Sequence, residues 1–170
     1  MRDTDRAVPP ALLGATAATL RLLGPRQFSL TAVAEHAGVS RGTAHNALGS
    51  RDNAIRIGLD HLADAFIETV AAEVGRHDTL ADQVAAAAVV ICAHRQQSDS
   101  VAPRGINESI LVLLLRNTGD DLMRRSIELW KPIVRAAQER GEVGSGVAPA
   151  RASEWIVRLL LSFELLPRSA

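Results

Sequence analysis

The stretch from Ser29 to Asp52 constrains the fold of this chain more than any other part of its sequence. Ser29 and Ser40 are good N-cap residues, and each is followed by two turns of helix with an apolar stripe. Gly38 stands where the first helix must end in a left-handed conformation, which glycine adopts without steric cost. Gly49 ends the second helix. Two short helices joined by a three-residue turn that begins with glycine form a helix-turn-helix.

The outward side of the second helix is rich in hydrogen-bond donors. It carries Arg41, Thr43, His45 and Asn46, and none of these is acidic. A helix that enters the major groove of DNA needs such side chains near its N-terminus. The alternative is an ordinary helical hairpin with a polar exposed face. Because the caps, the glycines and the charge sign agree, the pattern favours DNA binding.

The composition predicts helix throughout the chain. Alanine and leucine dominate, aromatic residues make up 3%, and no window alternates in the manner of a strand. The formal net charge is zero, but residues 1–60 hold a slight excess of arginine over acidic residues, as a DNA-facing end requires. We therefore predict an all-α fold with an N-terminal three-helix DNA-binding domain (1–50) and a helical ligand-binding and dimerisation domain (51–170).

Several function classes find no support in the sequence. Cys92 is the single cysteine, and His94, two residues on, would not face it on a helix. No nucleophile elbow, phosphate loop or metal signature is present, so we expect neither an enzyme nor a bound cofactor or metal. A cluster at residues 60–68 could suggest a metal site, but a solvated helix face explains it better.

The longest apolar run, residues 110–115, is far shorter than the roughly 20 residues that span a bilayer. The N-terminus lacks the apolar core of a signal peptide. We therefore expect a cytoplasmic protein with no membrane partner.

The helices outside the motif follow from apolar periodicity and from breaks at glycine and proline. We predict helices at 11–23, 51–74, 79–95, 103–116, 122–140 and 149–166. A polar loop should occupy 96–102, a break should fall at 117–120, and Pro132 should kink or split its helix. The helix at 51–74, roughly 35 Å long at about 1.5 Å per residue, is a candidate lever between the two domains.

The central helices should enclose a ligand cavity. Because charges and aromatic residues are few there, a small apolar effector is the expected ligand. His94 is more often a satisfied core or edge histidine than a ligand contact. The candidate lining is Leu62, Phe66, Ile91, His94, Ile110, Leu114 and Trp130.

The run AEHAGVSRGTAHNALGSRDNAI resembles the DNA-binding segment of the tetracycline-repressor (TetR) family of bacterial transcription regulators. The matching residues are Val33, Ala34, Ala37, Gly38, Val39, Ser40, Gly42, Thr43, Leu48, Ser50 and Asp52. The family usually has tyrosine at the position of His45, an aromatic residue at Leu48 and lysine at Arg51. The resemblance implies a regulator whose helix-turn-helix binds double-stranded DNA.

The resemblance also implies roles for individual residues. Phosphates would be held by Ser29, Thr43, His45, Ser50 and Arg51. Base edges would be approached by Arg41, Thr31 and Asn46, while Gly42 would let the backbone come close and Ser40 would cap the same helix end. An arginine in the place of Arg41 can bind guanine in bidentate fashion.

The C-terminal run ASEWIVRLLLSFELLP is similar to the region in which TetR-family subunits form a four-helix dimer interface. This likeness implies a homodimer, and two-fold symmetry then implies a palindromic operator with half-sites about one helical turn apart. The implied interface consists of Trp155, Leu159, Ser162, Phe163 and Leu166. The alternative is a helical dimeric ligand-binding module with weakened or lost DNA binding, to which the departures at His45, Ala47 and Leu48 point.

Overall fold

The computed structural model describes residues 7–101 and 110–165 of the 170-residue chain, with side chains over 7–93 and 110–164. All regular structure in these ranges is helical, which confirms the predicted all-α fold. The helices are α1 (Pro10–Gln27), α2 (Leu30–Ala37), α3 (Arg41–Leu48), α4 (Arg51–Val74), α5 (Leu80–Val101), α6 (Ile110–Glu139) and α7 (Pro149–Leu165).

The chain divides into two compact units, Met1–Asp64 and Ala65–Ala170, and the division falls within α4. It differs from the boundary predicted at residue 50. The difference arises because the first half of α4 carries Ala54, Leu59 and Leu62, which are all buried. The first unit therefore needs these residues as well as the three helices before them.

In the first unit, α1 packs on α2 and α2 packs on α3. Leu20, Val33 and Leu48 are completely buried, and Phe28 is nearly so. Two threonines of α1 are buried as well, but Thr16 donates to the carbonyl of Leu12 at 2.6 Å. Local bonds of this kind leave no hydroxyl without a partner in the core.

The first helix shows the effect of the Gly24-Pro25 pair. Gly24 has a φ of 66° and interrupts the helical backbone, as the sequence predicted at this point. One further turn reaches Gln27, and the N–H of Phe28 donates to the carbonyl of Gly24 at 3.1 Å. The interruption brings the chain to Ser29, where α2 begins.

In the second unit, α6 and α7 form the main helix pair, and α5 contacts both. Leu114, Trp130 and Val134 lie in the core with almost no exposed surface. The loop after α6 also contacts the beginning of α5, where the N–H of Leu80 donates to Glu142 Oε2 at 2.7 Å.

One prediction about the later helices is wrong. The helix predicted to end at residue 95 continues to Val101, so the expected loop at 96–102 is helical over 96–101. The expected break at 117–120 is present as a kink within α6, where Thr118 has a non-helical backbone with φ −139° and ψ 29°. Thr118 Oγ1 donates to the carbonyl of Leu114 at 3.0 Å, which keeps the two parts of α6 linked.

The remaining predictions about the helices have different outcomes. The backbone of α6 runs through Pro132 without a split. The first part of the helix predicted at 103–116, together with residue 102 of the predicted loop, lies outside the described residues. The predicted helix at 51–74 is confirmed as α4.

Candidate nucleic-acid interface and ligand cavity

The turn between α2 and α3 has the geometry that its glycine predicts. Gly38 is left-handed, with φ 66° and ψ 30°. Its N–H donates to the carbonyl of Glu35 at 3.2 Å, and the N–H of Val39 donates to that of Ala34 at 3.0 Å. These two bonds are those of a Schellman motif, which satisfies carbonyls that the end of a helix leaves free.

The N-terminus of α3 is capped from within the turn. Ser40 Oγ accepts the backbone N–H of Thr43 at 3.0 Å and lies 2.9 Å from Thr43 Oγ1. The predicted cap at Ser40 is therefore confirmed. The same bonds engage the hydroxyl of Thr43, which the resemblance assigns to a phosphate, although Ser40 and Thr43 both remain exposed.

The donors predicted to face outward do so. Arg41, His45 and Asn46 on α3 and Thr31 on α2 are all exposed. Their side chains make no hydrogen bond or ion pair with any residue that the structure describes. They therefore remain available to bind an external partner.

Gly42 is exposed, and the fold does not require a glycine there. A Cβ at this position would lie 3.7 Å from Ser40 Oγ, an ordinary contact, and φ is not positive. Glycine costs a helix interior about 1 kcal/mol relative to alanine. Its presence in α3 is better explained by a surface that another molecule approaches closely.

Arg51, one of the predicted phosphate contacts, makes hydrogen bonds within the first unit. Its Nε donates to the carbonyl of Phe28 at 3.0 Å, and Nη2 donates to the carbonyls of Pro25 and, at 3.3 Å, Arg26. The guanidinium thus ties the start of α4 to the last turn of α1 and to Phe28, which follows that turn. Nη1 also lies 3.5 Å from Asp52 Oδ1.

Ser29 and Ser50, the remaining predicted phosphate contacts, act as N-caps. Ser29 Oγ accepts the N–H of Ala32 at 3.1 Å, and Ser50 Oγ accepts that of Asn53 at 3.2 Å. Asn53 Nδ2 then donates to the carbonyl of Leu48 at 2.8 Å, so α4 satisfies the end of α3. Sequence reasoning missed this contact, because asparagine inside a helix gives no signal of its acceptor.

A cavity of about 30 Å³ lies in the second unit between α4, α5, α6 and α7. Nine of its ten lining residues are apolar. The lining is Phe66, Ile67, Val70, Ile91, Ser126, Leu129, Trp130, Val157, Leu160 and Leu161. At this volume the cavity holds little more than water, so a larger ligand must displace lining side chains.

The predicted lining agrees with this cavity in part. Phe66, Ile91 and Trp130 are brought together in it. Ile110 and Leu114 belong to α6 but do not line it, and Leu62 lies in the other unit. His94 lies on α5, and its side chain is outside the described part of the chain.

Sequence reasoning overlooked the contributions of Val157, Leu160 and Leu161, because the apolarity of α7 was assigned to dimerisation alone. The helix has two apolar sides. Val157 and Leu160 are buried, whereas Trp155, Leu159 and Phe163 are 68%, 53% and 43% exposed. The predicted interface residues with described side chains thus lie toward the exposed side, where Ser162 is half-buried. Leu166 lies outside the described residues.

Neither a protein-family profile nor a curated protein matches the sequence. Solved structures share its fold, among them the following two. The fatty acid degradation regulator FadR from Bacillus halodurans is 12% identical, with a TM-score of 0.59 over 91% of this chain and 82% of its own. A protein described as a candidate fatty acid metabolism regulator from Clostridium perfringens is 13% identical, with a TM-score of 0.54 over 91% of this chain and 84% of its own. At these identities the likeness shows the fold alone.

No described helix is long and apolar enough to cross a membrane. In the same residues no group of three or more histidine, cysteine or acidic side chains is placed to hold a metal ion.

Proposed function

We propose that this chain is a ligand-responsive, DNA-binding transcriptional regulator that acts as a homodimeric repressor. The observation that carries the proposal is the surface of the helix-turn-helix. A capped turn presents α3, whose exposed Arg41, His45 and Asn46 have no partner among the described residues. Such a helix suits the major groove, with Arg41 near the base edges and the backbone at Gly42 close to the DNA.

The dimer is proposed from α7. Trp155, Leu159 and Phe163 follow one another at intervals of four residues, so they form a single exposed apolar stripe. A second copy of the chain would cover the stripe and place two α3 helices against successive half-sites of a palindrome.

The chemical class of the effector is inferred from the lining of the cavity. Its apolar lining favours a ligand with a hydrocarbon portion, and two solved structures of the same fold are described in connection with fatty acids. Because the cavity is small, ligand binding must separate some of the helices that line it. Only a ligand that binds one dimer geometry better than another can release the operator.

Coupling is proposed through α4. Arg51 at its start holds the segment before α2, while Phe66, Ile67 and Val70 near its other end line the cavity. A displacement of α4 by the ligand would thereby reach the helix-turn-helix. Such coupling is reciprocal. The operator must weaken effector binding by the same factor by which the effector weakens operator binding.

The test is fluorescence anisotropy on duplex DNA from immediately upstream of the gene, titrated at rising salt. We expect saturable binding that weakens steeply with salt. Arg41→Ala should weaken it about 5-fold to 150-fold, which corresponds to the loss of one bidentate base contact at about 1–3 kcal/mol. Gly42→Ala should weaken binding too, although the protein folds normally.

Arg76→Ala is the matched control. It removes the same charge from an exposed arginine of the second unit, which pairs with Glu73 at 2.5 Å. Its affinity for DNA should equal that of the native chain. A folded protein without salt-dependent binding, or one in which Arg41→Ala and Arg76→Ala behave alike, would instead favour the ligand-binding module that has lost DNA binding.

A further inference from the structure

Among the described residues that line the cavity, Ser126 is the one hydrogen-bonding side chain besides the indole of Trp130. Serine inside a helix often bonds to the carbonyl four residues earlier, as Ser153 does to Pro149 at 2.7 Å. The Ser126 hydroxyl makes no hydrogen bond with any described residue. It is therefore free to donate or accept toward the cavity.

Trp130 lies one helical turn after Ser126, so the two side chains occupy the same side of α6. Its side chain is 1% exposed and makes no hydrogen bond within the described ranges. An indole N–H is a donor only, whereas a hydroxyl is both donor and acceptor. Together they can hold one oxygen atom of a ligand.

Among the described residues that line the cavity there is no arginine, lysine or histidine. A carboxylate placed there would lose its hydration without gaining a cation, at a cost of several kcal/mol. Three basic residues directly adjoin lining residues in the sequence, and each is in an ion pair. Arg125 pairs with Asp121 at 3.5 Å, Lys131 with Glu128 at 2.7 Å and Arg158 with Glu154 at 2.7 Å. An uncharged oxygen, by contrast, needs only the hydrogen bond that Ser126 supplies.

We propose that the cavity selects a neutral, mainly hydrocarbon molecule with one uncharged oxygen group, such as an alcohol or an ester carbonyl, and that Ser126 sets this selectivity. The inference rests on the proposed effector site and names its ligand class. It excludes free fatty acids in their ionised form as the preferred ligand.

The experiment measures binding of decanol, decanoate and decane to the full chain near neutral pH. Tryptophan fluorescence gives the signal, since Trp130 lines the cavity, and calorimetry checks it. We expect decanol to bind at least tenfold more tightly than decanoate. In Ser126→Ala, decanol should lose about 2-fold to 12-fold in affinity, the loss that corresponds to one net hydrogen bond, while decane should be unaffected.

Ser145→Ala is the matched control, because Ser145 lies exposed in the loop between α6 and α7. It should leave all three affinities unchanged. Equal binding of decanoate and decanol, a decanol affinity that Ser126→Ala does not change, or no binding of any probe would each overturn the inference. The anisotropy experiment is independent of these ligands, so a failure here leaves DNA binding to be decided separately.

Discussion

At the level of single residues, two glycines inside helices meet opposite surroundings. A Cβ on Gly14 of α1 would have nothing within 4 Å. A Cβ on Gly58 of α4 would lie 2.4 Å from Leu20 Cδ1 and 2.9 Å from Thr16 Cγ2. Leu20 and Thr16 are both completely buried, so neither can move aside into solvent.

We expect Gly58→Ala to lower the free energy of unfolding by up to about 2 kcal/mol. The gain in helix propensity is about 1 kcal/mol, but overpacking costs about 1–3 kcal/mol and exceeds it. Gly14→Ala should raise stability by up to about 1 kcal/mol. Urea unfolding of both variants measures the difference, and equal effects would contradict the close packing of α4 on α1.

Arg51 is another residue whose surroundings decide its role. Its guanidinium is committed to backbone carbonyls 23 to 26 residues earlier in the chain. Its side chain is 46% exposed, so solvent weakens each bond without abolishing it. Lysine could not reproduce the arrangement, because an ammonium group lacks the fork of a guanidinium.

We expect Arg51→Ala to lower stability by about 1–2 kcal/mol and Arg51→Lys to restore only part of the loss. Thermal unfolding measures both, with Arg41→Ala as a control that should change stability by less than about 0.5 kcal/mol. The phosphate contact that the resemblance implies makes a different prediction. It requires unchanged stability and a salt dependence of DNA binding that is less steep by about one unit.

At the level of elements, the sequence predicted best what is determined locally. The bounds of α2 and α3 depend on Ser29, Gly38, Ser40 and Gly49, and each acts on its own neighbours in the chain. The extension of α5 to Val101 could not be foreseen, because the polar run after residue 95 shows no apolar stripe. The contacts of Arg51 were equally hidden, since its acceptors are distant in sequence and are backbone atoms.

The same distinction explains why the sequence predicted the lining of the cavity only in part. The spine of α4 and the burial of Trp130 follow from periodicity. Which apolar side chains leave a gap between them depends on how four helices pack, and residue types do not determine that. Ser126 was therefore not recognised, because a serine on a mixed helix face has no distinctive pattern.

The hydrogen bond between Glu142 and the start of α5 predicts that the stability of the protein depends on pH. The hydrogen bond from Arg140, followed by that from the N–H of Leu80, lowers the pKa of Glu142 below its ordinary value of 4.5. A lowered folded-state pKa means that the stabilisation is fully present above the unfolded-state pKa. It is lost as the pH falls through the folded-state pKa.

We expect Glu142→Gln to be less stable than the native chain near neutral pH and to approach it as the pH falls through the folded-state pKa of Glu142. Asp121 and Glu128 also have lowered pKa values, owing to Arg124 and Lys131 respectively, but they are the same in both proteins and cancel. Urea unfolding of both proteins across the pH range measures the difference in stability, and a difference that stays constant with pH would contradict the assignment.

At the level of the whole molecule, the proposed dimer makes the exposed stripe of α7 essential for association but not for folding. Leu159→Glu should shift the chain to monomers, because a charge would be buried without a partner in the interface. Val89→Glu is a matched control, since Val89 is 67% exposed on α5. Sedimentation equilibrium measures the association, and a dimer that survives Leu159→Glu would contradict the proposed interface.

Because α4 is continuous across the division between the two units, it limits where the protein can be cleaved by a protease or joined to another protein. Between Leu59 and Val74 the helix contains neither glycine nor proline, so it offers a protease no extended backbone at the division between the units. A fragment that ends at residue 50 would lack Arg51 and the buried residues Ala54, Leu59 and Leu62. The three helices that contain the helix-turn-helix therefore cannot be exchanged by themselves, and a hybrid that joins them to another protein must include at least the first half of α4.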